Sequence, residues 1–446
     1  MCVFGFGLAA IAFMKKLLSL LPIPLSTGLS FVLSHPLLKG SAVLFIGSTF
    51  GNILAYAANM AWGRMLGPER YGVYAASLSL IYIASVFTSA LNLSFSNFSA
   101  RLKGNSEEDK VGLIVKNFLP GVSWLGLGGC LIFCLVTPFL SGFLNIPSYW
   151  PILLVGLNLG LGVVQTLPTG ILQGLQKFKF MSIAGVLSGL ARLAFGCLLI
   201  FIGFSYNGPL LGIIISSSLV FVLSLWILRD FFFPAKEEKT AFPFSWRDLF
   251  VYGQSAFFSS LGLMLLLATD TLLVKKFFSA QEAGLYSSAG VIARVILFVS
   301  GSVVTVMFSQ VAERHSSNGK YRHVFWYSLA LVGGFSLSIS LFYFLFPAFM
   351  IRLFFSSDYF GAIHYLGWSG LFIALYSLVN VFVNFFLSIK KNIVSWLTLA
   401  AAFIQIVLIW FRHGSIIEVL QACIFANGLL LLVFLVYYFK DISLTE

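Results

Sequence analysis

The sequence predicts an all-α polytopic membrane protein: about twelve transmembrane helices in two pseudo-symmetric six-helix bundles around a central cavity. Three observations carry this. The chain is 59% hydrophobic and 9% charged, with a mean hydropathy of +0.98, too little charge to cover a soluble domain of 446 residues. Apolar runs of roughly 20 residues, each long enough to cross a bilayer as a helix, recur along its length. Finally, a short polar turn between apolar segments occurs twice. None of the segments alternates with the period of two that a β-barrel requires.

The first copy of the turn is Trp62-Gly63-Arg64-Met65-Leu66-Gly67-Pro68-Glu69-Arg70-Tyr71-Gly72-Val73-Tyr74, and the second is Lys275-Lys276-Phe277-Phe278-Ser279-Ala280-Gln281-Glu282-Ala283-Gly284-Leu285-Tyr286. Gly72 and Tyr74 match Gly284 and Tyr286 at one offset of 212 (284−72 and 286−74). Each copy has basic residues before a Glu, then Gly-x-Tyr and a run of small residues opening the next segment. An apolar chain that repeats near its midpoint predicts two similar bundles facing each other, with a site between them.

Taken in order, residues 1–39 begin with an apolar stretch too short to span and a basic Met14-Lys15-Lys16 that resembles a natural start. Broken by Pro22, Pro24 and Pro36, this part predicts an interfacial segment. The first bundle covers 40–228, with spans near 40–63, 73–97, 112–136, 151–173, 181–203 and 209–228. A charged linker, 229–248, contains Lys236-Glu237-Glu238-Lys239. The second bundle covers 249–440, with spans near 249–274, 285–310, 324–346, 361–388, 392–411 and 416–439, and 441–446 form a tail. With the N-terminus inside, nineteen Lys and Arg fall in cytoplasmic segments and six in outer loops, so both termini are expected in the cytoplasm. The net charge of +12 follows from this bias and does not call for nucleic acid.

The outer loops are short, which opposes a membrane polymerase with large acidic external loops. There is no P-loop, nucleophile elbow or His/Cys/carboxylate cluster, and the five cysteines lie in apolar stretches without metal-type spacing. No enzyme activity, cofactor or metal is expected.

Charges inside the bilayer are the first functional candidates. Arg192 lies near the middle of the fifth span with no partner readable at its depth, and its fork suits a phosphate. Asp270 and Arg294 lie in the outer halves of the seventh and eighth spans, at depths the span ends place within a few ångströms of each other. Two readings stay open for them: a neutralising pair that fixes packing, or an anion-binding Arg294 tuned by Asp270. Asn52, Tyr56 and Asn59 share one face of the first span, Asn380 and Asn384 one face of the tenth, and Gln254 opens the seventh. Each alone suits interhelical hydrogen bonding, and as a set they are candidates to line a cavity for sugars. The glycines of spans three and four (Gly126, Gly128, Gly129, Gly156, Gly160, Gly162) predict close packing, and the tryptophans and tyrosines mostly suit interfacial belts.

Leu66-Gly67-Pro68-Glu69-x-Tyr71-Gly72-x-Tyr74, together with Asp270 followed fourteen residues later by Gly284-Leu285-Tyr286, resembles the polysaccharide and O-antigen (Wzx-like) flippases of the multidrug/oligosaccharidyl-lipid/polysaccharide export superfamily. The resemblance implies a two-lobed, twelve-helix fold working by alternating access in a prokaryotic plasma membrane. It implies an undecaprenyl-pyrophosphate-linked oligosaccharide as substrate, cationic cavity residues such as Arg192 and Arg294 to hold the pyrophosphate, H⁺ or Na⁺ as the coupling ion, and polysaccharide-assembly proteins as partners. A multidrug/cation antiporter of the same superfamily is the alternative. It needs intramembrane carboxylates, of which only Asp270 is present in the core, beside two arginines.

Overall fold

The structure, a computed structural model, describes residues 36–105, 107, 110–232, 246–317 and 321–441. The expected interfacial segment up to residue 35, residues 233–245 of the linker and residues 442–446 of the tail lie outside them.

The chain runs almost wholly as helix, because apolar segments inside a bilayer must satisfy their own backbone groups. Helix α1 (Pro36–Gly104) is the longest, and it is broken at Gly67 (φ 72, ψ 167) into two limbs, the first two spans. This backbone region is open essentially to glycine alone, and Pro68 follows with a ring that fits the start of a new helix. The predicted turn is therefore a sharp bend rather than a loop. The rest of the first half is α2 (Val111–Phe143), α3 (Trp150–Gly174), α4 (Phe178–Leu199) with a π-helical extension (Ile200–Phe204), and α5 (Asn207–Phe232).

The second half opens with α6 (Trp246–Phe277) and α7 (Ala280–Ala293). Helix α7 starts on a complete capping box: Ser279 accepts from the Glu282 backbone while the Glu282 side chain takes the Ser279 N–H. Then come α8 (Ile296–Ser316), α9 (Arg322–Leu345), the short α10 (Pro347–Phe354), α11 (Ile363–Ser388), α12 (Ile393–Phe411) and α13 (Ile416–Asp441). Among the described residues, eleven helical stretches are long and apolar enough to cross a membrane. The first of these holds both limbs of α1, and α7 with α8 forms one interrupted span, so the twelve expected spans are present. This is a multi-pass membrane protein.

Helices α1 to α5 pack largely on one another, as do α8 to α13, while α6 and α7 pack both on the second half and extensively on α1. Within the first half, Gly126 and Gly160 let α2 and α3 approach until a methyl on either would press on the other's carbonyl. Gly128 has open space instead, so the expected close packing belongs to some of those glycines and not to all.

The halves meet where the repeated turns are, at what is called here the turn end. A side chain at Gly284 would run into the Pro68 carbonyl, and one at Gly72 into the carbonyl of Ala280. Each copy of Gly-x-Tyr thus packs on the other copy's turn, as a pseudo-two-fold axis between the halves requires. Around this seam Arg64 Nε donates to the Phe354 carbonyl (3.1 Å), Tyr359 Oη to the Gly63 carbonyl (2.7 Å) and Lys275 Nζ to the Asn145 carbonyl (3.1 Å). Asn145 in turn donates to the Lys276 carbonyl (3.0 Å). Tyr71, Phe355 and Tyr359 fill the seam with edge-on rings. The opposite end, carrying the connection between the halves, is called here the linker end.

Candidate anion site between the two halves

The repeated tyrosines do one task twice. Tyr74 Oη donates to Asn59 Oδ1 (2.7 Å), fifteen residues earlier on the other limb of α1. Tyr286 Oη donates to Asp270 Oδ2, sixteen residues earlier on α6. In each half the tyrosine after the turn clasps a polar side chain on the span before it, closing the corner with a buried hydrogen bond. Both tyrosines are buried, as is Trp62, so these aromatics build the core and not the interfacial belts that composition suggests.

The first half adds a cation. Arg192 on α4 lies fourteen residues after Phe178, about 21 Å along the helix. Its guanidinium lies over the Trp62 ring, 5.4 Å from the centroid, and Trp62 meets Tyr74 edge-on at 5.6 Å. Gly196, one turn along α4, leaves room for the indole. Cation–π stacking lowers the cost of the buried charge but satisfies no N–H. Arg192 Nε and Nη2 are buried with no hydrogen-bond partner among the described residues.

The second cation sits at a break. Span eight is interrupted between α7 and α8, and Arg294 is the residue that ends α7. Such a break strips the last carbonyls of their helical partners. Two tyrosines donate there: Tyr56 Oη from α1 to the Val291 carbonyl (2.5 Å) and Tyr343 Oη from α9 to the Ile292 carbonyl (3.0 Å), which also accepts from the Val295 N–H (3.2 Å). Tyr56 thereby joins the halves at mid-depth.

The expected Asp270–Arg294 pair does not form. Helix α6 continues to Phe277 and α7 begins at Ala280, beyond the span ends read from the sequence. Asp270 is thus about 10 Å from the turn and Arg294 about 20 Å, at 1.5 Å per residue. Arg294 Nη2 donates instead to the Leu267 carbonyl, one turn deeper than Asp270 (3.1 Å). Arg294 Nε and Asp270 Oδ1 are both buried and unpartnered.

The amides divide. Asn59 joins the cluster through Tyr74, whereas on α11 the half-buried Asn384 donates from Nδ2 to Asn380 Oδ1 (2.8 Å). Asn52 and Gln254 are exposed. Sequence reasoning passed over Gln405 on α12, which is buried and donates to the Leu266 carbonyl (3.0 Å) beside the Asp270 turn. It stands 213 residues after Arg192, close to the repeat offset, and that spacing is the signal that marks it as Arg192's uncharged counterpart. The clustered set is therefore Asn59, Trp62, Tyr74 and Arg192 in one half and Asp270, Tyr286 and Arg294 in the other.

Residues 37–310, more than half of the chain, match the profile of a family described as polysaccharide biosynthesis protein. Solved structures share the fold at low identity. One described as the inward-facing conformation of a multidrug resistance MATE family transporter of the MOP superfamily has a TM-score of 0.73 at 16% identity, covering 88% of this chain and 94% of that one. The outward-facing conformation of a MATE transporter gives 0.63 at 15%, covering 91% and 96%. A MOP superfamily transporter from Pyrococcus furiosus, described as having a binding pocket of reversed polarity that suggests a different function, gives 0.63 at 16%, also covering 91% and 96%. No curated protein sequence matches the chain.

Proposed function

Since the chain belongs to the polysaccharide biosynthesis protein family, we propose that it is a flippase that carries an undecaprenyl-pyrophosphate-linked oligosaccharide across a prokaryotic plasma membrane by alternating access. Residues 40–228 and 249–440 act as the two lobes, joined by the linker 229–248. Both termini are cytoplasmic and the turn end faces outward, in keeping with the distribution of Lys and Arg.

The observation that carries the reading is Arg192: a mid-span cation with two buried N–H groups unpartnered. Pyrophosphate supplies the acceptors that such a fork lacks. Arg294, held at a helix break with Nε free, offers a second contact. Asp270 is the buried carboxylate among the described residues and keeps one oxygen unpartnered, which suits a coupling H⁺ or Na⁺. The closed seam at the turn end supports a state open toward the linker end, as does the higher TM-score with the inward-facing transporter.

A cation antiporter is the competing reading, supported by the same fold and by Asp270. Two arginines against one carboxylate favour an anionic cargo, and the Pyrococcus transporter is a precedent for pocket polarity changing within the fold. A membrane polymerase, the reading from a different class, has no large external loop to draw on. The test is complementation of a flippase-deficient strain with membrane expression checked. Wild type restores surface glycan, and Arg192→Ala and Arg294→Ala insert normally but fail. Full restoration by both arginine variants overturns the anion site.

A further inference from the structure

A cleft of about 490 Å³ opens in the linker half of the molecule, a volume typical of small-molecule sites. Thr88, Ser89 and Asn92 on the second limb of α1 form one wall, and Gln165, Thr169 and Gln173 on α3 form the other. Ser260 of α6 reaches it from the second half. Asn92 lies eighteen residues beyond Tyr74 on one helix, about 27 Å from that tyrosine, so this is a different place from the arginine cluster.

Its chemistry is also different. Among the described residues, no charged, histidine or aromatic side chain lines it. Gln165, Thr169 and Gln173 stand at i, i+4 and i+8 and share a face of α3. Asn92 Nδ2 donates to Thr169 Oγ1 (2.8 Å), which fixes the two walls against each other. The side-chain amides of Gln165 and Gln173 make no hydrogen bond with the described residues, and each offers two donors and an acceptor. Gln165 is half-buried and Gln173, at the end of α3, is exposed, so both amides face water or a ligand that replaces it.

We propose that this cleft binds the uncharged sugar units of a glycan. Hydroxyls that both donate and accept match a wall of amides and alcohols. A cationic drug finds neither carboxylate nor ring there, and a sugar acid finds no cation. The inference rests on the reading of the chain as a glycan flippase and names the class of sugar that it handles away from the pyrophosphate.

The test is saturation-transfer NMR on the full-length protein in lipid nanodiscs, with free maltotriose, chitotriose and trigalacturonate as probes. At least one neutral trisaccharide receives saturation and trigalacturonate does not. The double variant Gln165→Leu/Gln173→Leu weakens that binding about tenfold, the worth of one to two hydrogen bonds. Gln173→Lys gains trigalacturonate, a result misfolding does not produce. The proposal is overturned if neither neutral sugar is saturated, if the double leucine variant binds as wild type does, or if Gln173→Lys gains nothing. Arg192→Ala keeps the neutral-sugar signal, so loss of the pyrophosphate reading and loss of this one are separately visible.

Discussion

Tyr74 and Tyr286 occupy matching places but hold different acceptors, a neutral amide oxygen and a carboxylate. The difference sets their worth. Removing the Tyr286 hydroxyl leaves the buried Asp270 without the donor that its side chain engages, while removing that of Tyr74 strands only an amide oxygen. Tyr286→Phe is therefore expected to destabilise the protein by about 1–3 kcal/mol, toward the upper end for a charged acceptor, and Tyr74→Phe by about 1 kcal/mol. Thermal unfolding in detergent checks this, and equal losses would remove the distinction. At this scale the sequence was partly legible. Arg192 stands out as a charge in an apolar span, and its lack of a counter-ion is readable. Trp62 beneath it is not, because a tryptophan near a span end looks the same whether it faces headgroups or a guanidinium. Asp270 and Arg294 looked like partners because the turn seemed longer than it is. With α6 running three residues further and α7 starting five residues earlier, the two lie about 10 Å apart in depth.

Among the elements, the bend of α1 and the seam at the turn end carry the most mechanical weight. Gly67 holds a backbone conformation that an L side chain adopts only under strain. Gly67→Ala is expected to cost about 1–3 kcal/mol, read as a lower melting temperature with the fold retained. Gly284 works differently, because its own backbone is ordinary and what it provides is absence of bulk against Pro68. Gly284→Val therefore wedges the seam and shifts the protein toward a state open at the turn end. A cysteine placed at Ala280 becomes more reactive to a membrane-impermeant maleimide in that variant, and unchanged reactivity contradicts the gate. The repeat at offset 212 marked Gly72 and Gly284 in the sequence. That they touch each other's turns follows only from the pseudo-two-fold packing, which a one-dimensional repeat does not specify.

Over the whole molecule, the polar groups separate by depth. The turn end is sealed by interlocking turns, the middle holds two arginines with unsatisfied N–H groups, and the linker half holds an uncharged amide-lined cleft. Fold class, span number and the two-fold plan were legible in the sequence, since hydropathy and the repeat both report on the chain's global order. The cleft was not, because isolated Thr, Ser, Asn and Gln within apolar spans carry little signal until helix packing brings them to one place. Rigid-body exchange between the two halves predicts opposite distance changes at the two ends. Spin labels across the turn end should separate as labels across the linker end approach when substrate is added, and parallel changes would exclude rocking about a central site. The most direct measurement is translocation by purified protein in liposomes, scored as undecaprenyl-pyrophosphate-linked oligosaccharide exposed to a membrane-impermeant glycosidase. Wild type should raise the exposed fraction above empty liposomes, and Arg192→Ala should lower the rate about tenfold or more through the loss of charge-assisted hydrogen bonds. Transport at the wild-type rate by both Arg192→Ala and Arg294→Ala would contradict a pyrophosphate site built on these two arginines.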